Sequence, residues 1–189
     1  MSLQSRKIVS SDNEILILVD TEDREIGHLS KFECHKNEGI LHRAFSIFLF
    51  NDEGHLLIQK RSQQKRLWPL YWSNTCCSHP RQGEDILGAA ARRLEDELGI
   101  NGINLEYLYK FSYQASYKDI GSEHEMCSVF IGSINEDVFF NSNEIERIRF
   151  IDCETLEKEM DLNSDFTPWF KMEWRTIKHQ YFGELAKYI

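Results

Sequence analysis

Between Ser73 and Gly99 the chain reads SNTCCSHPRQGEDILGAAARRLEDELG, a stretch that joins two thiols and an imidazole to the clearest helix in the sequence. Cys77 and His79 are two residues apart and are followed by Pro80. From Glu84 to Leu98, Leu87, Ala91, Leu94 and Leu98 recur at three- and four-residue steps, the spacing of one apolar helix face, and Gly99 supplies a C-terminal stop. Few of these residues are needed to build a core. A thiol, an imidazole and a carboxylate-bearing helix in one short span point instead to a metal site beside a reactive cysteine.

Around this segment the pattern is mostly strand. Glu14–Val19 (EILILV) predicts a buried strand, and residues 20–27 a polar turn. Ala44–Phe50 and His55–Gln59 flank Asn51-Asp52-Glu53-Gly54, a hairpin connection in which Gly54 tolerates positive φ. Trp72–Thr75, Leu105–Tyr117, Met126–Ser133 and Glu144–Ile151 predict further strands, and Thr155–Met160 a short helix. The last helix opens at Pro168, suited to a first helical position, with Thr167 as its cap. Phe170, Trp174, Ile177, Tyr181 and Leu185 form its apolar stripe. Strands enclosing one early and one late helix predict an α/β (α+β) sandwich with a mixed sheet.

No repeat, Pro-rich linker or low-complexity stretch divides the 189 residues, so one domain is expected, with residues 1–7 (MSLQSRK) polar and flexible. A net charge of −9 argues against a nucleic-acid binder, which needs a basic footprint. The densest apolar runs are strand-sized, so neither a signal sequence nor a membrane span is expected. Five cysteines make an odd count with no disulfide spacing, which indicates a reducing, cytoplasmic setting.

Several groups are candidates for chemistry. Arg93 and Glu97 are four apart on one helix face, with Asp96 beside them; on an arbitrary helix that is a solvated ion pair. His35 and His42 precede a strand, and His79 lies in the thiol–imidazole loop. Glu123-His124-Glu125 puts two carboxylates on one side of an extended segment. Three His and one or two Glu suit a five- or six-coordinate site for Mn²⁺, Mg²⁺ or Zn²⁺. Lys60-Arg61 and Lys65-Arg66 flank Ser62-Gln63-Gln64, either a phosphate site or a solvated loop. Trp169 points about 100° away from Phe170 on the last helix. It and Tyr113 are either packing residues or an aromatic face for a developing cation.

Two resemblances draw these parts together. From Ser78 through Glu84 to Arg92-Arg93-Leu94-Glu95-Asp96-Glu97-Leu98-Gly99-Ile100 the chain resembles the Nudix box, a loop–helix that binds divalent metal at a diphosphate. Ser78 stands where the box has Gly, and Arg93 where it has the first Glu of its helix motif. Asp96 replaces the first Glu of the later pair, so Glu97 alone remains of that pair. Too few carboxylates are left to hold Mg²⁺ and activate water, which argues against pyrophosphohydrolase activity.

From about Ile15 into the last helix the chain is also similar to type I isopentenyl-diphosphate Δ-isomerases. The resemblance rests on WPLYWSNTCCSHP (68–80), GSEHEMC (121–127), LHRAFS (41–46) and FTPWF (166–170). It implies a Nudix-like α/β/α sandwich that interconverts isopentenyl and dimethylallyl diphosphate in isoprenoid biosynthesis, as a monomer acting on a small prenyl diphosphate. It implies metal ligation by His35, His42, His79, Glu123 and Glu125, and catalysis by Cys77 and Glu125 with Tyr113 assisting proton delivery. It further implies Trp169 as the wall at the hydrocarbon end, Lys31, Arg61, Lys65 and Arg93 at the diphosphate, and Mg²⁺ there on Glu97 and the Cys77 carbonyl. The alternatives are a Nudix hydrolase of a diphosphate, and a binding domain with structural zinc. A structural zinc site has closed, tightly paired ligand spacings, which Cys76-Cys77-Ser78-His79 with two distant histidines fits poorly.

Overall fold

The computed structural model describes residues 8–189; the expected flexibility of residues 1–7 lies outside the described residues. The elements run β1 (Ile15–Val19), β2 (Glu25–Ser30), α1 (Lys31–Cys34), β3 (His42–Phe50), β4 (Leu56–Arg61), β5 (Trp72–Ser73) and β6 (Cys76–Ser78). There follow α2 (Ile86–Leu98), β7 (Glu106–Tyr117), β8 (Gly121–Ser133), β9 (Ile145–Ile151), α3 (Cys153–Leu162), α4 (Pro168–Gln180) and α5 (Phe182–Leu185).

Among the described residues, all nine strands join one mixed sheet built around β3. This strand is buried on both faces, which is why its sequence is nearly continuous in apolar residues rather than alternating. It runs parallel to β8, from His42 opposite Glu125 to Phe50 opposite Ser133, and antiparallel to β6. Phe45, Ile47 and Leu49 face one core with Ala89, Ala90, Leu94 and Leu98 of α2. Ala44, Phe48 and Phe50 face the other core, with Leu156 of α3, Phe170 and Trp174 of α4 and Leu185 of α5. The result is the expected three-layer sandwich, with helix on both faces of a mixed sheet.

Local differences from expectation have physical reasons. Residues 20–27 are not all turn: β2 begins at Glu25 and pairs with β1, because backbone pairing along an edge needs no apolar side chains. Cys76–Ser78, expected as loop, is a strand held against Phe45–Ile47. The buried face of α2 is rotated from the one its leucines suggest. Leu87 is 51% exposed and Ala91 is exposed, whereas Arg93 and Glu97 are buried with Ala89, Ala90, Leu94 and Leu98. Two small alanines let the helix approach the sheet, and Arg93 and Glu97 neutralise each other there. Asp85 caps α2 by accepting from the Gly88 N–H at 2.9 Å, and Gly99 closes it with φ +69°.

Thr167 does stand at the N-cap of α4, but its hydroxyl makes no capping bond and pairs with Ser73 Oγ at 3.1 Å. The backbone of Trp72 holds the chain before α4 on both sides, donating to Asp165 O at 2.7 Å and accepting from the Thr167 N–H at 2.9 Å. The apolar stripe is split between α4 and α5, with Tyr181 at the break.

The loop from β4 to β5 carries two bulky residues in the left-handed region, Trp68 at φ +46° and Leu70 at φ +63°. Arg61 at the end of β4 ties it down: its Nε donates to Trp68 O at 3.1 Å, its Nη2 to Leu67 O at 3.0 Å, and its own carbonyl accepts from the Leu70 N–H at 3.1 Å. Leu70 is 39% exposed and adds little packing to offset its strain. A Leu70→Gly variant is therefore expected to be more stable. The left-handed penalty of about 1–2 kcal/mol is removed and a smaller backbone-entropy cost is added, for a net gain of about 0.5–1 kcal/mol. Urea unfolding checks this, and a loss of stability would show that the Leu70 side chain matters more than its φ.

Candidate active site

The β3–β8 register sets His42 directly opposite Glu125. Because strand residues two apart share a face, Glu123 and Glu125 project together. His35 arrives from the C-cap of α1, and His79 from the residue after β6. Gly121 allows the approach of α1 to β8: a Cβ there would sit 2.2 Å from the His35 carbonyl, which instead accepts from the Ser122 N–H at 3.1 Å.

The three imidazole centroids lie 4.8 to 5.2 Å apart, and one ligand atom from each of His35, His42, His79, Glu123 and Glu125 falls within 4.8 Å of all the others. All five side chains are buried. His35 Nδ1 contacts Lys31 O at 2.6 Å, and His42 Nδ1 contacts Ile40 O at 2.7 Å. Those contacts place the proton on Nδ1 and turn the Nε2 lone pairs inward, the arrangement of a metal-ligating histidine.

His35 Nε2, His42 Nε2, His79 Nδ1 and Glu123 Oε2 are buried without a hydrogen-bond partner. His35 Nε2 and Glu123 Oε2 approach to 2.6 Å without hydrogen-bond geometry. Burial, then His35, pushes the His42 imidazole down to about 3, and burial with His42 and His35 holds His79 well below its usual range. Imidazoles of His42 and His79 that resist protonation, inward lone pairs and orphaned buried ligand atoms fit a divalent cation; without one, the arrangement leaves buried polar atoms unsatisfied.

Glu125 joins this cluster to the adjoining cavity. Its Oε1 lies 2.8 Å from His79 Nε2, and its Oε2 accepts from the Tyr113 hydroxyl at 2.7 Å. Burial, with Glu123 beside it, raises its pKa well above the carboxylate range. For Glu123 the penalty of burial is outweighed by His35, which holds the carboxyl low.

The cavity, of about 390 Å³, is lined by Cys77, Tyr113, Glu125 and Trp169, and also by Lys31, Arg61, Lys65 and Arg93. Of the side chains the sequence singled out, His35, His79, Glu123 and Arg66 also line it, whereas His42 and Glu97 are buried and, like Lys60 and Asp96, are not on its wall. Burial pushes the Cys77 thiol up to about 12 although Arg61 opposes the shift, so Cys77 carries its proton at neutral pH. Its Sγ is 3.9 Å from Ser73 Oγ and 4.0 Å from Arg61 Nη1. The Trp169 indole donates to Ser73 Oγ at 3.1 Å, and the Arg61 guanidinium lies 5.3 Å from its ring centroid.

The basic groups are not free charges. Arg93 Nε donates to Glu97 Oε1 at 2.8 Å and its Nη1 to Val9 O at 2.7 Å, so the pair is an internal strut and not the solvated ion pair of an arbitrary helix. Glu97 also accepts from Cys76 Sγ at 3.7 Å. Sequence reasoning missed Glu144, a buried carboxylate on the cavity wall that pairs with Lys65 and lies 3.4 Å from Arg93 Nη2. A single Glu opening a strand carries no pattern that distinguishes it. Burial, then Lys65 and Arg93, lowers Lys31 to about 8, the mark of cations crowded together. Glu84, within the stretch that resembles the Nudix box, is committed to structure: it accepts from Arg92 Nε at 2.7 Å and from the Arg81 N–H at 2.9 Å.

One turn beyond Trp169 on the same face of α4 lies Glu173, fully buried, taking a bond from Cys127 Sγ at 3.6 Å on one oxygen and none on the other. Burial pushes its carboxyl up to about 8.

Residues 40–170 match the NUDIX domain family. The chain is 45% identical to isopentenyl-diphosphate Delta-isomerase 1 of Photorhabdus laumondii over 176 residues, covering 92% of this chain and 99% of that protein. It is 38% identical to isopentenyl-diphosphate Delta-isomerase 1 of Bos taurus, covering 92% of this chain and 86% of the relative. Among solved structures, DR0079 of Deinococcus radiodurans superposes with a TM-score of 0.72 at 21% identity, over 86% of this chain and 98% of that one. At that identity the likeness speaks for the fold.

Two measurements test the site. Divalent cation added to metal-stripped protein is expected to raise its stability, by about 2.7 kcal/mol at one hundred times the Kd, and His42→Gln to lose most of that gain. An equal gain in both proteins would place the ion elsewhere. For Glu173, the folded pKa of about 8 lies above the unfolded value of 4.5, so its contribution is fully present below pH 4.5 and is lost as pH rises through 8. Glu173→Gln is expected to flatten that slope, gaining stability relative to wild type between pH 5 and pH 8.5 in urea unfolding. Parallel pH profiles would mean that Glu173 does not titrate there.

Proposed function

The chain belongs to the isopentenyl-diphosphate Δ-isomerase family of NUDIX-domain proteins, and from that membership we propose that it interconverts isopentenyl and dimethylallyl diphosphate, moving a carbon–carbon double bond by one position. The observation that carries this reading is one buried cavity in which a protonated thiol, Cys77, and the Glu125–Tyr113 pair share the walls with an indole face and a cluster of cations.

An unactivated alkene is a weak base. An acid must protonate it to a tertiary carbocation-like species, and a base must take a proton from the neighbouring carbon. Cys77 and Glu125 are the two groups proposed for these roles, one donating and the other accepting, with the Tyr113 hydroxyl bonded to Glu125 to help deliver its proton. Trp169 offers its π face to the developing positive charge without being a nucleophile that would trap it. Burial keeps water from the cation. Lys31, Arg61, Lys65 and Arg93 bind the diphosphate, with Arg supplying bidentate contacts.

Of the two proposed cation sites, the five-residue cluster suits Mn²⁺, Mg²⁺ or Zn²⁺, and a cation there would orient Glu125 and stabilise its ionised form. At the diphosphate, Glu97 and the Cys77 carbonyl are the groups proposed to hold Mg²⁺, which would neutralise phosphate charge; Glu97 touches Cys76, next to Cys77 in the chain. The free thiols of all five cysteines suit the reducing, cytoplasmic setting we propose, and we propose that the protein acts as a monomer. No helix among the described residues is long and apolar enough to cross a membrane.

The competing reading, hydrolysis of the diphosphate, is disfavoured by Arg93, which puts a guanidinium where water-activating chemistry needs a carboxylate. An assay with isopentenyl diphosphate and Mg²⁺ in deuterated water separates the two. Wild type is expected to yield deuterium-labelled dimethylallyl diphosphate, and Cys77→Ala to lose about 10²–10⁴-fold in rate. Release of phosphate or pyrophosphate without labelled product would establish the hydrolase instead.

A further inference from the structure

Behind Trp169, outside the cavity wall, stands a second aromatic layer. Trp68 is 4% exposed and meets Trp169 at 5.2 Å between ring centroids, with the ring planes at 90°. On another side Trp68 packs on Tyr117 at 5.1 Å, and Tyr117 in turn meets Tyr71 edge-on at 6.1 Å. Trp169 lines the cavity; Trp68 does not.

Other groups hold Trp169 from different sides: its indole N–H is bonded to Ser73, the Arg61 guanidinium lies 5.3 Å from the ring centroid, and Tyr113 lies 6.3 Å away. Trp68, in contact with both Trp169 and Tyr117, occupies the space into which the indole would have to move to recede toward Tyr117. Its own placement costs energy. A tryptophan at φ +46° sits in a region bulky residues avoid, and such outliers persist only where the surroundings hold them. Here the surroundings are the next residue, Pro69, and the Arg61 side chain bonded to the Leu67 and Trp68 carbonyls.

We propose that Trp68 is a positioning residue that sets the depth of the hydrocarbon end of the cavity through Trp169, and so limits the enzyme to a five-carbon prenyl diphosphate. The inference rests on the isomerase reading. Shortening Trp68 leaves a void behind Trp169 into which the indole can recede, and the space gained on the cavity side admits a larger branch on the alkene. An apolar pocket distinguishes one methylene by about 10–200-fold, so that is the discrimination at stake.

The test compares isopentenyl diphosphate with its homologue bearing ethyl in place of the methyl branch, in wild type, Trp68→Leu and Trp68→Phe. The readout is the ratio of kcat/KM for the homologue to that for the parent, alongside inhibition by inorganic pyrophosphate. The expected result is a rise in this ratio of about tenfold or more in Trp68→Leu, and a smaller rise in Trp68→Phe, with pyrophosphate inhibition unchanged. A general loss of folding or catalysis acts on both substrates and leaves the ratio where it was. If Trp68→Leu does not fold, Trp68→Phe decides, and an unchanged ratio there overturns the proposal. An unchanged ratio with weakened pyrophosphate inhibition also overturns it, in favour of a role through Arg61. Wild type that converts neither substrate overturns the isomerase reading, and this inference falls with it.

Discussion

The site depends on the parallel pairing of β3 with β8. That register sets His42 against Glu125 and, through the two-residue strand repeat, turns Glu123 the same way. A slip of one residue would send both carboxylates to the opposite face, against the apolar surface that meets α2. Packing on the two core faces fixes the register, because Phe45, Ile47 and Leu49 fit against Ala89, Ala90 and Leu94 of α2 while Ala44, Phe48 and Phe50 fit against the larger side chains of α3, α4 and α5. The hydrophobic pattern of the central strand thus positions groups that contribute nothing to hydrophobic stability.

The cost of that arrangement is visible in the polar atoms. A buried carboxyl or imidazole without a partner is expensive, and this cavity gathers several. Glu97 and Glu144 pair with Arg93 and Lys65, and Tyr113 and His79 share Glu125. An anionic ligand enters a site whose cations are already oriented, so less of its binding energy goes into ordering side chains. The guanidinium at position 93 has a double effect. It adds positive charge to the cavity wall, where the proposed function puts the diphosphate, and it occupies the helix face from which a hydrolase would present carboxylates.

How far the chain could be read from its residues varied with the kind of pattern. The helix at 86–98 was legible from its repeat and its Gly99 stop, but its buried face was not. Periodicity counts apolar side chains, and it had no means of showing that Arg93 and Glu97 would go inside as a mutually neutralised pair while Leu87 stayed in water. Strand β6 was hidden because three residues of cysteine and serine carry no alternation. Thr167 was recognisable as a helix start, yet its hydroxyl serves Ser73 and, through it, the indole of Trp169.

The sequence by itself determined the sandwich and the family, and it named the candidate site residues apart from Glu144, because these rest on residue type and order along the chain. Convergence was decided only in three dimensions. His35, His42, His79, Glu123 and Glu125 span 91 positions of the chain, and their meeting within 4.8 Å follows from strand register and from a glycine at 121 that lets α1 close on β8. Tertiary structure also decided which charges are spent on each other, as with Glu144 on Lys65, and which aromatic stands behind which. Those relations depend on distance between segments remote in sequence, and no local pattern encodes them.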